Sequence, residues 1–278
     1  MVEIVDLLLT PLTYTFMQRG LLAALMVGVL CAIIGCYVVL RSMAFLGDAM
    51  AHAVLPGVAV AYLLGRNLTF GALIAAVVVA LGVGLISRRG VIKEDTAIGI
   101  LFAAALSLGV ALISSIRTYA VDLSHILFGN VLGVSTLDLW VTGGLGLVIL
   151  LAIVLCYRPF LVISFDPVLA ATLRLNVEFF RYLLLILLAL TIVISMQTVG
   201  VGLVAALLVT PAATAYLLVR RLPAMMAVSA LIGGFSSLAG LFASYYLNVA
   251  SGAVIVLTAT ILFLLAFLFA PRRGMLIK

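Results

Sequence analysis

Charged residues are scarce in this chain, and several common functional motifs are missing. Asp, Glu, Lys and Arg make up 9% of its 278 residues, whereas hydrophobic residues make up 67%. Soluble domains carry about 25% charged residues, so the composition excludes a soluble globule. The chain is therefore predicted to be an integral membrane protein.

The missing motifs exclude several kinds of enzyme. No G-x-x-x-x-G-K-[ST] phosphate loop occurs, so the chain is not expected to hydrolyse ATP by itself. With two histidines and no H-E-x-x-H sequence, a membrane metalloprotease is excluded as well. Cys31, Cys36 and Cys156 lie in apolar segments without a C-x-x-C spacing, which is typical of small buried hydrophobes. We expect no enzymatic activity and no permanently bound cofactor.

Long apolar runs are abundant, and they predict the fold. Nine segments are long enough to cross about 30 Å of hydrocarbon as helices, although eight spans remain possible. The segments are 20–40, 48–65, 69–87, 96–116, 137–157, 180–197, 200–219, 224–247 and 252–270. Their continuous apolarity favours helices over the alternating strands of a β-barrel. The prediction is an all-α polytopic helix bundle, a single membrane domain over residues 1–278, with residues 1–19 along the interface.

The sixth and seventh segments are nearly continuous and too long for one span. The chain must therefore turn back between Gln197 and Gly202.

The basic residues predict the orientation. They cluster at Arg88, Arg89 and Lys93, at Arg158, Arg174 and Arg181, at Arg220 and Arg221, and at Arg272, Arg273 and Lys278. The positive-inside rule places these clusters and the C-terminus in the cytoplasm. Nine spans then place the N-terminus outside. The net charge of +6 reports this topology and does not indicate a nucleic-acid partner.

Asp48 and His52 are the most informative residues. Their i, i+4 spacing puts both side chains on one face of a helix. An ionisable group within the membrane costs about 2.5–3.5 kcal/mol on insertion scales, so the pair needs a partner, and a divalent cation fits. Pro56 has no N–H to donate to the His52 carbonyl, which adds a free backbone oxygen. An alternative is that Asp48 simply pairs with His52 or Arg41 inside the bundle.

The donor types at this motif indicate the ion. A carboxylate, an imidazole and a carbonyl suit Mn²⁺, Fe²⁺ or Zn²⁺, and the absence of thiolate or Met ligands argues against Cu(I).

Two prolines and one glutamine are candidate pathway residues. Pro56 and Pro211 interrupt segments in the two halves of the chain, and Gln197 lies at the predicted break. Interrupted segments in both halves of a transporter often mark the pathway. The alternative is an ordinary proline kink whose freed backbone groups are satisfied by Thr210.

A short helix is predicted between residues 165 and 176, at the cytoplasmic face. Asp166 followed by Pro167 is a favourable N-cap and first helical residue, and the following residues continue helically. The helix is too short to span the membrane, so a partner could bind it there. Alternatively, it is an interfacial helix without a partner.

The sequence resembles the permease subunit of bacterial ATP-binding-cassette importers for manganese, zinc or iron. The resemblance covers nearly the whole chain. Four stretches carry it: 40–57, which contains Asp48 and His52; 94–102; 127–132; and 197–203 with 208–213. The motif positions show no clear departure from the family pattern; Ser42 stands where a second basic residue is often found, which affects the charge and not the site.

The resemblance implies the architecture of a type II importer in the bacterial cytoplasmic membrane. It implies a homodimer with a central pathway, a cytoplasmic ATPase dimer that binds the ATP, and an extracytoplasmic metal-binding protein. It also implies that Asp48 and His52 coordinate the metal. The short helix would be the coupling helix that docks into the ATPase, with the contact residues Asp166, Pro167, Leu169, Ala170, Thr172 and Leu173.

The expected function is ATP-driven import of a divalent transition metal, with manganese ahead of zinc and iron. Two rivals are a proton-coupled secondary carrier, in which Asp48 and His52 relay protons, and a non-transporting membrane scaffold. Neither rival needs the short cytoplasmic helix.

Overall fold

The computed structural model describes residues 10–88, 91–114 and 131–270. Within these ranges every regular element is a helix. The helices are α1 (Thr15–Leu40), α2 (Leu46–Ala53), α3 (Leu55–Leu63), α4 (Leu68–Ile86), α5 (Glu94–Ser114), α6 (Thr136–Leu155), α7 (Tyr157–Phe165), α8 (Pro167–Thr172), α9 (Val177–Val199), α10 (Val201–Leu218), α11 (Leu222–Leu247) and α12 (Ser251–Phe269), with a 3₁₀ turn at Val131–Gly133.

Nine spans of these described ranges are long and apolar enough to cross a membrane. They are α1, the α2–α3 pair, α4, α5, α6, α9, α10, α11 and α12, and each corresponds to one predicted segment. The predicted all-α bundle is therefore confirmed. Several helices begin slightly earlier than predicted. For α4 and α9 the reason is a polar cap, since the Asn67 and Asn176 side chains accept hydrogen bonds from backbone N–H groups of these helices.

The first helix also begins early, at Thr15, inside the segment 1–19 that was expected to lie along the interface. Its 26 residues extend about 39 Å at 1.5 Å per residue, which exceeds about 30 Å of hydrocarbon. Gln18 and Arg19, in its first turns, can therefore reach the headgroup region while remaining helical.

Helix α1 lies at the centre of the bundle, where it touches α6, α9, α10 and α11. Small residues allow this crowding: Gly28 of α1 lies against Gly233 of α11. Helices α4, α5, α6 and α12 are peripheral and expose apolar side chains, as lipid-facing helices do. Examples are Phe70, Ile74, Leu108, Leu147, Val154, Leu257 and Ile261.

The turn between α9 and α10 falls within the predicted break. Gly200 separates the two helices with φ +89° and ψ 161°, a conformation essentially restricted to glycine. The chain therefore reverses in a single residue.

The second span is interrupted at Val54, between α2 and α3. Pro56 occupies the first turn of α3, where its missing N–H costs little. The break separates the short helix that carries Asp48 and His52 from the rest of the span.

One end of the bundle collects most of the basic residues, and we call it the basic end. The C-termini of α1 and α4 meet the N-termini of α5 and α9 there, joined by the pairs Arg41–Glu94 and Arg88–Glu178. Helices α7 and α8 connect α6 to α9 at this end.

Candidate metal site

Helix α2 exposes only the two residues that the sequence singled out. Six of its eight residues are buried: Leu46, Gly47, Ala49, Met50, Ala51 and Ala53. The side chains of Asp48 and His52 are 49% and 31% exposed. The small residues let neighbours approach closely, since Gly47 lies under the Leu208 side chain of α10. The two polar groups thus occupy the one open face of an otherwise enclosed helix.

The distance between the two side chains suits a shared ion. His52 Nε2 lies 3.7 Å from Asp48 Oδ1, too far for a good hydrogen bond. Two atoms that each bind one ion at about 2.1 Å in tetrahedral geometry are about 3.4 Å apart. Within the described residues neither side chain has a hydrogen-bond partner, so both retain lone pairs for a ligand.

The His52 carbonyl lies one residue before the end of α2 at Ala53. As predicted, Pro56 supplies no N–H to this oxygen. The Val54 N–H is directed at it from only two residues away, which is too close in sequence for a well-aligned hydrogen bond, so the oxygen stays a candidate ligand.

An aromatic wall borders the site. Phe102 of α5 lies beside His52, with 6.2 Å between the ring centroids. Phe45, at the start of α2, meets the same Phe102 ring edge-on at 5.7 Å. Apolar rings on this side limit where an ion can approach and leave the direction away from α5 as the open one.

Arg41 does not neutralise Asp48. Its Nη2 atom donates to both carboxylate oxygens of Glu94, at 2.6 and 2.8 Å. Burial lowers the pKa of Arg41 from its ordinary value, while Glu94 acts in the opposite direction; a guanidinium nevertheless stays charged in proteins. Because this cation is engaged elsewhere, the Asp48–Arg41 alternative is wrong, and among the described residues no arginine forms an ion pair with Asp48.

The described part of one chain does not complete a metal site. It contains no group of three or more His, Cys, Asp or Glu side chains that could hold an ion together. Asp48 and His52 are thus two ligands of a set that needs four to six.

Comparison with known proteins decides the family. The model of the ABC 3 transport family matches residues 13–270. The chain belongs to the ABC 3 transport family.

Several proteins with assigned names match nearly the whole chain. The chain is 52% identical over 267 residues to the "Manganese transport system membrane protein MntC" of Halalkalibacterium halodurans, a match that covers 96% of this chain and 91% of that protein. It is 45% identical to the "Manganese import system permease protein ScaB" of Streptococcus parasanguinis, with 94% and 92% covered. It is 42% identical to a "Probable iron transport system membrane protein" of Haemophilus influenzae, with 96% and 98% covered.

Solved structures agree with this assignment. "PsaBC from Streptococcus pneumoniae in complex with Fab" contains a chain with a TM-score of 0.84 and 42% identity, with 97% of both chains covered. A "putative metal-chelate type ABC transporter" in an inward-facing conformation has a TM-score of 0.71 at 16% identity, with 90% and 85% covered, and shows the fold alone. The chain is thus a polytopic membrane permease of the ABC 3 family.

The other candidate pathway residues lie on three different helices, Pro56 on α3, Gln197 on α9 and Pro211 on α10. Pro211 is buried inside α10, which continues unbroken through it. Gln197 is exposed and lines a separate cleft of about 270 Å³ together with Asp138. Pro56 is partly buried and lies against Gly109 of α5. A role of these three residues in the pathway stays a prediction.

The short helix predicted between residues 165 and 176 is present as α8 (Pro167–Thr172), shorter than predicted, and its N-terminus is capped as predicted. The Asp166 side chain accepts hydrogen bonds from the N–H groups of Val168 and Leu169, at 2.9 and 3.0 Å. Thr172 donates to the Leu169 carbonyl, and Ala170 is fully buried.

Four apolar side chains at this helix are exposed although they lie outside the membrane-spanning helices. They are Phe165, Val168, Leu169 and Leu173, each at least 49% exposed. Such a patch at the end of a bundle is typical of an interaction surface.

Sequence reasoning missed a buried ion cluster at the basic end. Glu94 pairs with Arg41, and the Nε atom of Arg181 lies 3.9 Å from the same carboxylate. Their exposed fractions are between 11% and 17%. The three residues are far apart in sequence, so only their low frequency in an apolar chain could have drawn attention to them.

Proposed function

We propose that the chain is the membrane subunit of an ATP-driven importer that carries a divalent transition-metal ion, manganese first and zinc or iron as alternatives, across the bacterial cytoplasmic membrane. The observation that carries the proposal is the open face of α2, where a carboxylate and an imidazole are the two side chains left unburied. Polar groups on a membrane helix call for a charged or polar partner. The names of the manganese and iron relatives support the choice of cargo.

The incomplete ligand set supports a dimer in which two copies share one ion. Closed two-fold assemblies bring the same surface of both subunits together. Two copies of the α2 face would supply two carboxylates and two imidazoles. The two carboxylates carry a charge of −2, which offsets a divalent cation, and four donors approach the coordination that Mn²⁺, Fe²⁺ or Zn²⁺ takes.

Asp48 and His52 have distinct roles in this scheme. Asp48 provides charge compensation and a hard oxygen ligand as the ion loses its water. His52 favours transition-metal ions over Ca²⁺ and Mg²⁺, because imidazole suits the former. His52 must be neutral to bind the ion.

The energy for transport comes from a separate subunit. The chain has no phosphate loop of its own. The exposed side chains of Leu169 in α8 and Leu173 directly after it offer a docking surface for a cytoplasmic ATPase. The basic end lies in the cytoplasm by the positive-inside rule. An extracytoplasmic metal-binding protein delivers the ion at the opposite end, and ATP-driven movement of α8 switches the dimer between outward- and inward-facing states.

Reconstituted vesicles test this function. The chain is incorporated together with its ATPase subunit, and the metal-loaded binding protein is added outside. We expect Mn²⁺ uptake that requires ATP and the ATPase subunit and that persists when the proton gradient is collapsed. Uptake without the ATPase that follows the proton gradient would instead establish the secondary carrier. A complex that carries no metal under any condition would leave only a scaffold role.

A further inference from the structure

Glu94 joins four helices at the basic end. It is the first residue of α5, and it binds Arg41 at the end of α1 through two hydrogen bonds. Arg181 of α9 approaches the same carboxylate. Arg181 Nη2 also donates to the Gly84 carbonyl of α4 at 2.8 Å, and Nη1 reaches the Ser87 carbonyl at 3.4 Å.

The two arginines of the cluster interact unequally with Glu94. Glu94 holds Arg41 at 2.6 Å, whereas Arg181 Nε lies 3.9 Å away. Both Arg181 Nε and Arg41 Nη1 are buried without a hydrogen-bond partner among the described residues. A buried N–H without an acceptor is costly. A shift of about 1 Å would bring Arg181 Nε into hydrogen-bonding range of Glu94, so the same carboxylate lies within reach of both guanidinium groups.

The Arg41 side of the cluster leads to the metal site. Arg41 is followed by a tight turn in which Ser42 has φ +55° and Met43 is buried. Helix α2, with Asp48 in its first turn, begins directly after this turn. Farther along α5, Phe102 contacts both Phe45 and the His52 ring. Glu94 therefore holds the end of α1, and Phe102 holds α2, against α5.

The Arg181 side of the cluster leads to α8. Arg181 lies in the second turn of α9, which begins at Val177, a few residues after α8 ends at Thr172. Because only a few residues separate α8 from α9, a displacement of α8 by a partner would move the start of α9 and with it the Arg181 guanidinium. The cluster is the place where the α8–α9 corner and the α1–α2 turn meet through one side chain.

We propose that Glu94 is a positioning residue whose carboxylate shifts between Arg41 and Arg181, so that movement of the α8–α9 corner repositions the helix that carries Asp48 and His52. This inference rests on the proposed import function. Coupling between distant sites requires an element with two discrete arrangements whose equilibrium depends on both sites. In this proposal the element is the Glu94 carboxylate, and the two sites are α8 and the metal-site helix α2.

The test uses the complete complex in vesicles and measures ATP hydrolysed per Mn²⁺ ion transported. In Glu94→Gln the charge that holds the two arginines is lost. We expect ATP hydrolysis to continue while the ratio of ATP to Mn²⁺ rises about tenfold, within the usual range of coupling between sites. Arg181→Gln should raise the ratio similarly, and the double variant should be no worse than either single one, because both act through one contact.

Glu178→Gln is the matched control. It removes a carboxylate from the same corner, but its pair with Arg88 is about half exposed on both sides, and such pairs contribute little. We expect the wild-type ratio. A wild-type ratio in Glu94→Gln, additive effects in the double variant, or a parallel loss of transport and hydrolysis would overturn the inference.

A second variant covers the case in which Glu94→Gln does not assemble. Arg181→Lys keeps the positive charge but cannot contact the Gly84 carbonyl and the Glu94 carboxylate with one planar group. A raised ratio in this variant supports the proposal, and an unchanged ratio rejects it. Absence of Mn²⁺ transport by the wild-type complex would reject the import function itself, which keeps the two failures distinct.

Discussion

Gly35 of α1 lies directly against the backbone carbonyl of Leu208 in α10, so that a methyl group at this position would overlap the carbonyl oxygen. The Leu208 side chain in turn covers Gly47 of α2. The contact between Gly35 and Leu208 therefore sets the distance between α1 and α10, and α10 in turn packs against the metal-site helix α2.

Gly35→Ala should destabilise the protein. Neither backbone can yield without repacking, so we expect the free energy of unfolding to fall by about 1–3 kcal/mol, the usual cost of overpacking a core. Denaturant-induced unfolding in mixed micelles measures this free energy. Gly144→Ala is the control, because a methyl group there meets open space within α6; it should be neutral or stabilising. An equal loss of unfolding free energy in both variants would show that Gly35 does not lie in contact with the Leu208 carbonyl.

Gly200→Ala should also be destabilising, for a different reason. Gly200 lies between two helices with φ +89° and ψ 161°. Alanine rarely adopts this backbone conformation, and placing it there costs about 1–3 kcal/mol. Gly202→Ala, two residues later in regular helix with no atom near its added methyl group, is the control. A Gly200→Ala protein as stable as Gly202→Ala would contradict the sharp reversal between α9 and α10.

The membrane spans were predictable because a helix that crosses the membrane requires a long run of apolar residues. The turn near Gly200 was predictable because the apolar run from 180 to 219 is too long for one span. Capping of α8 by Asp166 was predictable from local chemistry alone.

Features that depend on tertiary contact could not be predicted in this way. The pairing of Arg41 with Glu94 joins residues 53 positions apart, and nothing local distinguishes it from an Arg41–Asp48 pair. The two-helix form of the second span was also missed, since Pro56 predicts a lost hydrogen bond but not where the helix stops. That Asp48 and His52 share the open face depends on burial of the other residues of α2 by α5 and α10.

A charge on the exposed patch of α8 should separate ATP hydrolysis from transport. Leu169→Glu or Leu173→Glu places a carboxylate in an apolar docking surface, and a central contact residue typically contributes about 2 kcal/mol or more, or about a 30-fold loss in affinity. Binding of the purified ATPase subunit and uptake per ATP are measured. Val91→Glu, also exposed but outside α8, should behave like wild type. Normal uptake in the Leu169 and Leu173 variants would exclude docking at α8.

Mixed dimers test whether two copies share one ion. A wild-type chain and a chain carrying Asp48→Ala and His52→Ala are produced with different affinity tags, and the heterodimer is isolated by two purification steps. If both copies contribute ligands, the heterodimer should transport far below half of the wild-type rate, since only two of four donors remain. A rate of one half would mean that each chain carries metal independently.

The most direct measurement is Mn²⁺ uptake by vesicles that contain the complete complex with both Asp48 and His52 replaced by alanine. Asp95→Ala, which removes an exposed carboxylate at the start of α5, serves as the control. We expect uptake to fall to the level of protein-free vesicles in the double variant, with assembly unchanged, and to remain normal in the control. Wild-type uptake by the double variant would contradict the role of the α2 face in metal transport.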